Sequence, residues 1–203
     1  MDEKRVQDLW KRLIDWYDEE DIDRAIVAFS GGKDSTLVLI SALEALDDVK
    51  AVIVDAEIYP EKEIEAAAGL AEELGAGYEV IETCKLDDER FASNPLDKCY
   101  YCKEQLFELL DGDETILEGT NSSEVKGHRP GFKAVKKYAR APLYEVGIEE
   151  EDVRDILKWR GIEVWDKPSN ACLATRFPPG EKLTEGKLKR IERVEDEIFS
   201  LGV

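Results

Sequence analysis

Val27-Ala28-Phe29-Ser30-Gly31-Gly32-Lys33-Asp34-Ser35-Thr36 sets the architecture to be expected of this chain. The apolar run at residues 25–29 predicts a buried strand. Beyond the turn, Leu37, Val38, Ile40, Leu43 and Leu46 at helical spacing predict a helix. Between the two, adjacent glycines let the backbone take positive φ and approach a ligand closely. The turn opens onto a helix N-terminus, where unpaired N–H groups and the dipole favour an anion. Ser30, Ser35 and Thr36 add hydroxyl donors, so the stretch reads as a cradle for phosphate. A carboxylate at Asp34 suits Mg²⁺ held against those phosphates; the bland alternative makes it an ordinary helix-start residue.

On the N-terminal side of this turn, residues 3–18 carry Val6, Leu9, Trp10, Leu13, Trp16 and Tyr17 at helical spacing, with their aromatics expected in the core. On the other side, a second strand at 51–54 leads through Asp55-Ala56 to a helix over 61–74, which Gly75 ends, and a third strand follows at 78–81. Consecutive strand–helix–strand crossovers imply an α/β fold, a parallel sheet with helices on its faces. Ligands on such sheets bind at the carboxyl ends of the strands. The segments Phe29-Ser30, Val54-Asp55-Ala56 and Gly119-Thr120-Asn121 are therefore expected on one rim. Residues 84–98 read as irregular, with a turn at Asn94-Pro95, followed by a helix to Leu110 and a strand at 115–117. The polar segment 122–131 reads as a long functional loop, 149–159 as a helix and 162–165 as a last strand. A loop over 166–180 precedes a terminal amphipathic helix (Leu188, Ile191, Val194, Ile198, Leu201) that Thr184 is placed to cap.

A chain of 203 residues can bury one good α/β core. No apolar run approaches a membrane span and the first residues lack a secretory signal, so the chain is expected in the cytoplasm, away from membranes. With 47 acidic and 28 basic residues the net charge is −19, which opposes loose binding to nucleic acid. A local basic run remains at Lys126, His128, Arg129, Lys133, Lys136, Lys137 and Arg140, by default a solvated face. The lone histidine excludes a Ser-His-Asp or multi-histidine metal mechanism.

Four cysteines in such a chain point to metal or catalysis rather than a disulfide framework. Cys99 and Cys102 form a Cys-x-x-Cys, and Cys172 stands in a loop after a later element. Three thiolates with an open fourth position suit an iron–sulfur cluster or zinc. Cys172 alone also reads as a nucleophile or sulfur carrier, with Arg176 as a neighbouring cation that lowers its pKa, or as a small core residue. Cys84 reads as a bystander.

The loop at Ser30 is not the Walker type, Gly-x-x-x-x-Gly-Lys-Ser/Thr. Ser30-Gly31-Gly32-Lys33-Asp34-Ser35 resembles the loop of enzymes that split ATP into AMP and pyrophosphate. Together with Asn94-Pro95-Leu96-Asp97-Lys98-Cys99-Tyr100-Tyr101-Cys102-Lys103, Glu118-Gly119-Thr120-Asn121, Arg129-Pro130-Gly131 and the run from Trp165 to Pro178 around Ala171-Cys172-Leu173-Ala174-Thr175-Arg176, it resembles the LarE family. That family comprises ATP-dependent sulfurtransferases of nickel-pincer nucleotide cofactor biosynthesis, in the PP-loop superfamily. The resemblance implies a three-layer, Rossmann-like domain of the adenine nucleotide alpha hydrolase type. ATP and Mg²⁺ would adenylate a carboxylate of a pyridinium dicarboxylate mononucleotide; a sulfur nucleophile would then displace AMP.

Carried onto this chain, the resemblance gives Ser30, Gly31, Gly32, Asp34, Ser35 and Thr36 to the phosphates. Ala28, Val54, Asp55, Gly119 and Thr120 go to the rest of ATP, and Arg129 and Arg176 to anionic groups of nucleotide or substrate. Cys172, Asp34 and Arg176 are the expected catalytic residues. Cys172 matches the sulfur-bearing cysteine, which single-cysteine members sacrifice, leaving dehydroalanine. Cys99, Cys102 and Cys172 match the members in which a [4Fe–4S] cluster carries the sulfur, and the resemblance favours that version. Thr175 stands where serine is common. The family usually continues some sixty residues further, so residues 1–180 are expected to form the ATP domain and 181–203 the start of a truncated or short C-terminal region. A homo-oligomer acting on a small nucleotide is expected. The competing readings are a tRNA-thiolating enzyme of the same superfamily and a non-catalytic adenine-nucleotide sensor.

Overall fold

The computed structural model describes residues 2–127, 129–168 and 171–201. Helix α1 (Glu3–Glu19) starts at Asp2, whose side chain accepts a hydrogen bond from the Arg5 amide at 3.4 Å. Its buried stripe is Val6, Leu9, Trp10, Leu13, Trp16 and Tyr17, and the Tyr17 hydroxyl reaches Ser41 Oγ at 2.8 Å. Strand β1 (Arg24–Ala28) leads into α2 (Lys33–Ala45), then β2 (Asp48–Asp55), α3 (Glu61–Glu73) and β3 (Gly77–Glu82). Gly75 ends α3 with φ of 72°. A short α4 (Glu89–Ala92) and α5 (Lys98–Leu109) precede β4 (Thr115–Leu117), and α6 (Gly131–Tyr138), α7 (Pro142–Val146), α8 (Glu150–Trp159) and α9 (Glu185–Ser200) complete the order.

All pairings are parallel, in the spatial order β3-β2-β1-β4. From β1 the chain goes to β2 and β3 on one side, and β4 lies on the other. The order thus reverses between β1 and β4, and a crevice opens beyond their carboxyl ends. Alternation along the strands sorts the two faces. Val27, Ala51 and Ile53 pack with α1, α2, α3 and α8, whereas Val52 and Ile116 pack with Phe107 and Leu110 around α5 and Phe132 and Val135 of α6. This is the expected three-layer α/β architecture. A third cluster joins Ile58, Phe91, Leu173, Ala174, Leu183 and Leu188, so the cysteine loop shares a core with α4 and the start of α9.

Several elements differ from expectation. The last strand is absent: Glu163–Asp166 is a 3-10 turn. Gly161 at φ of 75° reverses the chain after α8, and the Ile162 amide bonds to the Leu157 carbonyl, so Ile162, Val164 and Trp165 fold back onto the main core instead of extending. Four residues, three of them apolar, cannot by themselves distinguish the two outcomes. Residues 84–98 hold a 3-10 turn (Lys85–Asp87) and α4, while 122–131 hold a 3-10 turn (Glu124–Lys126). Helices α6 and α7 are additions to the expected elements. Thr184 stands at the N-cap of α9, where its carbonyl accepts from the Lys187 and Leu188 amides, without a side-chain cap among the described residues. Of the apolar stripe on α9 only Leu188 is buried; Val194, Ile198 and Leu201 are exposed.

Candidate active site

The glycine turn is built by close approach. Gly31 has φ of 66°, and a Cβ there would lie 2.9 Å from the Cα of Ala67 in α3. Only glycine meets both demands. Gly32 is the N-cap of α2, and its carbonyl accepts from Ser35 Oγ (3.1 Å) and Thr36 Oγ1 (2.9 Å). Ser30 and Ser35 hydroxyls pair at 3.1 Å. Across the crevice, Gly119 follows β4 and sits so close to α2 that a Cβ would lie 2.7 Å from the Ser35 amide nitrogen. The next two residues complete this wall. The Thr120 amide donates to Glu118 Oε1 at 3.0 Å, and Asn121 Nδ2 donates to Asp34 Oδ1 at 2.7 Å. The other Asp34 oxygen accepts from buried Lys33 at 3.0 Å, and Lys33 also reaches Glu150 at 3.3 Å. Asp34 is therefore held from both sides of the switch point.

These walls enclose a cleft of about 410 Å³ lined by Ala28, Ser30, Gly32, Asp34, Ser35, Gly119, Thr120, Arg129 and Cys172 among others, within the usual size of small-molecule sites. An apolar slot of about 120 Å³ adjoins it, lined by Phe29, Val52, Val54, Ile64 and Ala67, with Ala28, Ser30, Tyr59, Glu63 and Leu106 common to both. Gly31, Thr36, Asp55, Arg176, Cys99 and Cys102 are not in the lining of either cavity. Thr36 is wholly buried against its own helix. The Asp55 carbonyl accepts from the Thr83 amide at 2.9 Å.

Residues outside the expected set contribute strongly. Lys103 lines the cleft and pairs with Glu118 at 2.6 Å. Lys167 reaches in from the segment after α8, with Nζ at 2.9 Å from Glu63 and 3.3 Å from the carbonyl of Gly31. Both lysines belong to motifs that carry the family resemblance, but a lysine's reach is not readable from spacing. Burial pushes the Glu124 carboxyl up, assisted by Asp34 and Glu118 and opposed by Arg129, which pairs with it at 2.5 Å. Part of the remaining basic run is paired: Lys126 with Glu149, Lys137 with Glu104, and Arg140 with Glu20 and Glu145. His128 lies outside the described residues, as do Ser169 and Asn170.

Cys102 and Cys172 pack into the third cluster beside Tyr59, whose hydroxyl is 3.9 Å from Cys102 Sγ; Cys99 is exposed on the first turn of α5. Burial pushes the Cys172 thiol up to about 11, the Cys102 and Cys99 sulfurs add to this, and Lys98 opposes it. Arg176 interacts with the Cys172 sulfur as a neighbouring cation, but burial outweighs it and the net shift is upward. The Arg176 guanidinium is committed to Glu195 at 2.6 Å and to Thr175 Oγ1 at 2.9 Å. Among the described residues no three His, Cys, Asp or Glu side chains are arranged to hold a metal ion. Of the three cysteines, one thiol is exposed and two are packed inward. Cys84 is exposed and donates to Glu57 at 3.6 Å, away from the cleft. No helix among the described residues is long and apolar enough to cross a membrane.

Residues 24–96, which carry the glycine turn and the first three strands, match the model of "Queuosine biosynthesis protein QueC". The chain is 36% identical over 191 residues to an uncharacterized Synechocystis protein, covering 90% of this chain and 71% of that one. It is 35% identical over 192 residues to the pyridinium-3,5-bisthiocarboxylic acid mononucleotide synthase of Lactiplantibacillus plantarum, covering 90% and 70%. An NMN synthetase from Francisella tularensis superposes with a TM-score of 0.65 at 16% identity, over 96% of this chain and 86% of that one. An NH3-dependent NAD synthetase from Campylobacter jejuni does so with a TM-score of 0.60 at 19% identity, over 80% and 75%. At those identities the structures share the fold alone. The sequence relationship carries more: over nine-tenths of its length, the chain belongs to the pyridinium-3,5-bisthiocarboxylic acid mononucleotide synthase (LarE) family.

Proposed function

We propose that the protein is an ATP-dependent sulfurtransferase that adenylates a carboxylate of a small mononucleotide and replaces a carboxylate oxygen with sulfur in cofactor biosynthesis. The observation behind this reading is that Asp34, the glycine turn and Cys172 line one cleft. The printed activity of the Lactiplantibacillus relative, a bisthiocarboxylic acid mononucleotide synthase, agrees with it.

In this reading the apolar slot beneath Tyr59 takes the adenine ring, and the Gly32–Ser35 turn takes the phosphates through N–H and hydroxyl donors. Mg²⁺, held by Asp34 and oriented through Asn121, would offset phosphate charge. Lys167 and Lys103 add cations around the polyphosphate and the substrate carboxylate. A carboxylate oxygen attacks the α-phosphorus and pyrophosphate leaves. The Cys172 thiol gives up its proton to solvent as its sulfur attacks the acyl carbon and AMP leaves with the bonding electron pair, forming an acyl thioester on the protein. Loss of the Cys172 Cα proton with cleavage of its Cβ–S bond frees the thiocarboxylate and leaves dehydroalanine. A cluster borne by Cys99, Cys102 and Cys172 is the second reading, favoured by Cys102 and Cys172 packing in one cluster beside Tyr59; an iron and sulfide assay after anaerobic purification tests it.

Carboxylate-dependent pyrophosphate release and peptide mass test the main reading. Cys172→Ala retains the release and loses sulfur transfer, and the wild-type Cys172 peptide loses the mass of hydrogen sulfide in a single turnover. Sulfur transfer by Cys172→Ala would reject the assignment.

A further inference from the structure

Lys98 is nine-tenths buried at the first position of α5. A helix N-terminus repels a cation, and burying an ammonium costs free energy unless it is hydrogen-bonded. Helix stability therefore does not account for it; its partners do. The ammonium donates to Asn94 Oδ1 at 2.6 Å and to the carbonyl of Ala174 at 3.0 Å. Asn94 is itself fully buried at φ of 55°, a conformation asparagine tolerates better than other L-residues. Its amide donates to the carbonyls of Pro178 (2.8 Å) and Phe177 (3.4 Å), and its own carbonyl accepts from the Gly180 amide at 2.7 Å. Two buried side chains thus grip three carbonyls in the segment that follows Cys172. The segment is also held by the Leu173 amide, which donates to the Ile58 carbonyl at 2.9 Å, by the burial of Leu173 and Ala174 in the third cluster, and by the Arg176–Glu195 pair. Neither Lys98 nor Asn94 lines the nucleotide cleft.

We propose that Lys98 and Asn94 are positioning residues, a buried clamp that fixes the Cys172 loop against the cleft so that its sulfur meets the activated substrate. The proposal rests on the reading of Cys172 as the sulfur-bearing residue. It gives Asn94 and Lys98, which precede the Cys-x-x-Cys in sequence, a role in fastening a loop 76 residues downstream.

Lys98→Met removes the ammonium, and Asn94→Gly removes the amide while keeping the φ that the turn requires. Hydrogen exchange of the full chain is read on the peptide covering residues 172–178 and on that covering 33–45, alongside single-turnover pyrophosphate release and sulfur transfer. In either variant exchange over 172–178 accelerates about tenfold or more while 33–45 is unchanged. Sulfur transfer falls about tenfold or more, and pyrophosphate release stays within about twofold of wild type. Unchanged exchange over 172–178, or an equal fall in both steps, overturns the clamp. Should Lys98→Met not fold, Asn94→Gly decides by the same readings. If wild type transfers no sulfur at all, the functional reading fails, and the exchange result alone still accepts or rejects the clamp.

Discussion

Gly119→Ala puts one methyl group between β4 and the first turn of α2. The added Cβ would lie 2.7 Å from the Ser35 amide nitrogen, 2.9 Å from the Asp34 carbonyl carbon and 3.1 Å from Ser35 Cα. All three are backbone atoms, so no flexible side chain can swing aside, and the two walls of the cleft must part by several tenths of an ångström. Overpacking of this kind costs about 1–3 kcal/mol. For a chain of this size each kcal/mol lowers Tm by about 2–4 °C, so a fall of roughly 2–12 °C is expected. The displaced atoms carry Asp34 and the N–H groups of α2, so nucleotide binding weakens as well. The Tm gain on adding saturating Mg·ATP, about 2.7 kcal/mol of stabilisation at one hundred times Kd, shrinks in the variant at the same concentration. Gly186→Ala in α9 is the control: among the described residues, no atom beyond its chain neighbours and its own helix backbone lies within 4 Å of its Cβ position, so Tm is expected not to fall. Scanning calorimetry with and without Mg·ATP reads both. A Gly119→Ala protein with wild-type Tm and a wild-type nucleotide shift would refute the claim that this contact sets the cleft.

Lys167→Met is expected to raise the Kd for ATP about tenfold or more, measured by calorimetric titration, because a charge-assisted contact contributes roughly 1.5–3 kcal/mol; unchanged affinity would remove Lys167 from the phosphate site. Asp88 caps α4 at the Arg90 amide and pairs with its guanidinium, which holds the carboxyl down at about 2. A carboxyl depressed in the folded state contributes stability above its ordinary pKa of about 4 and loses it as pH falls towards 2. Because Arg90 is half exposed, Asp88→Asn is expected to cost only about 1 kcal/mol at pH 7. The difference from wild type should fade between about pH 4 and 2 in urea titrations, and a constant difference across that range would count against the pairing.

Much of the architecture was legible because it rests on local periodicity. The stripe of α1, the alternation of strand and helix through β3, and the glycine turn each follow from residues within a few positions of one another. Where residues 162–165 read as a strand, the same four side chains satisfy a turn equally well, and contact with α8 decided between them. Helix α6 opens at Gly131 directly after the polar loop, and α7 is a five-residue helix opened by Pro142; both are too short for their pattern to outweigh the turn signals around them.

The site divides in the same way. Positive φ at Gly31 and donors at a helix start are properties of a short segment, so residue order alone was enough to point to an anion cradle after the first strand. That Gly119 presses on Ser35, that Asn121 orients Asp34, and that Lys167 reaches the carbonyl of Gly31 are contacts across 84 to 136 residues of chain. Spacing carries no information about such distances; they are set by the order of strands in the sheet. It took the packed fold to bring Cys172 to the cleft of the phosphate turn and to give Arg176 to Glu195, because burial and ion pairing are properties of the three-dimensional neighbourhood.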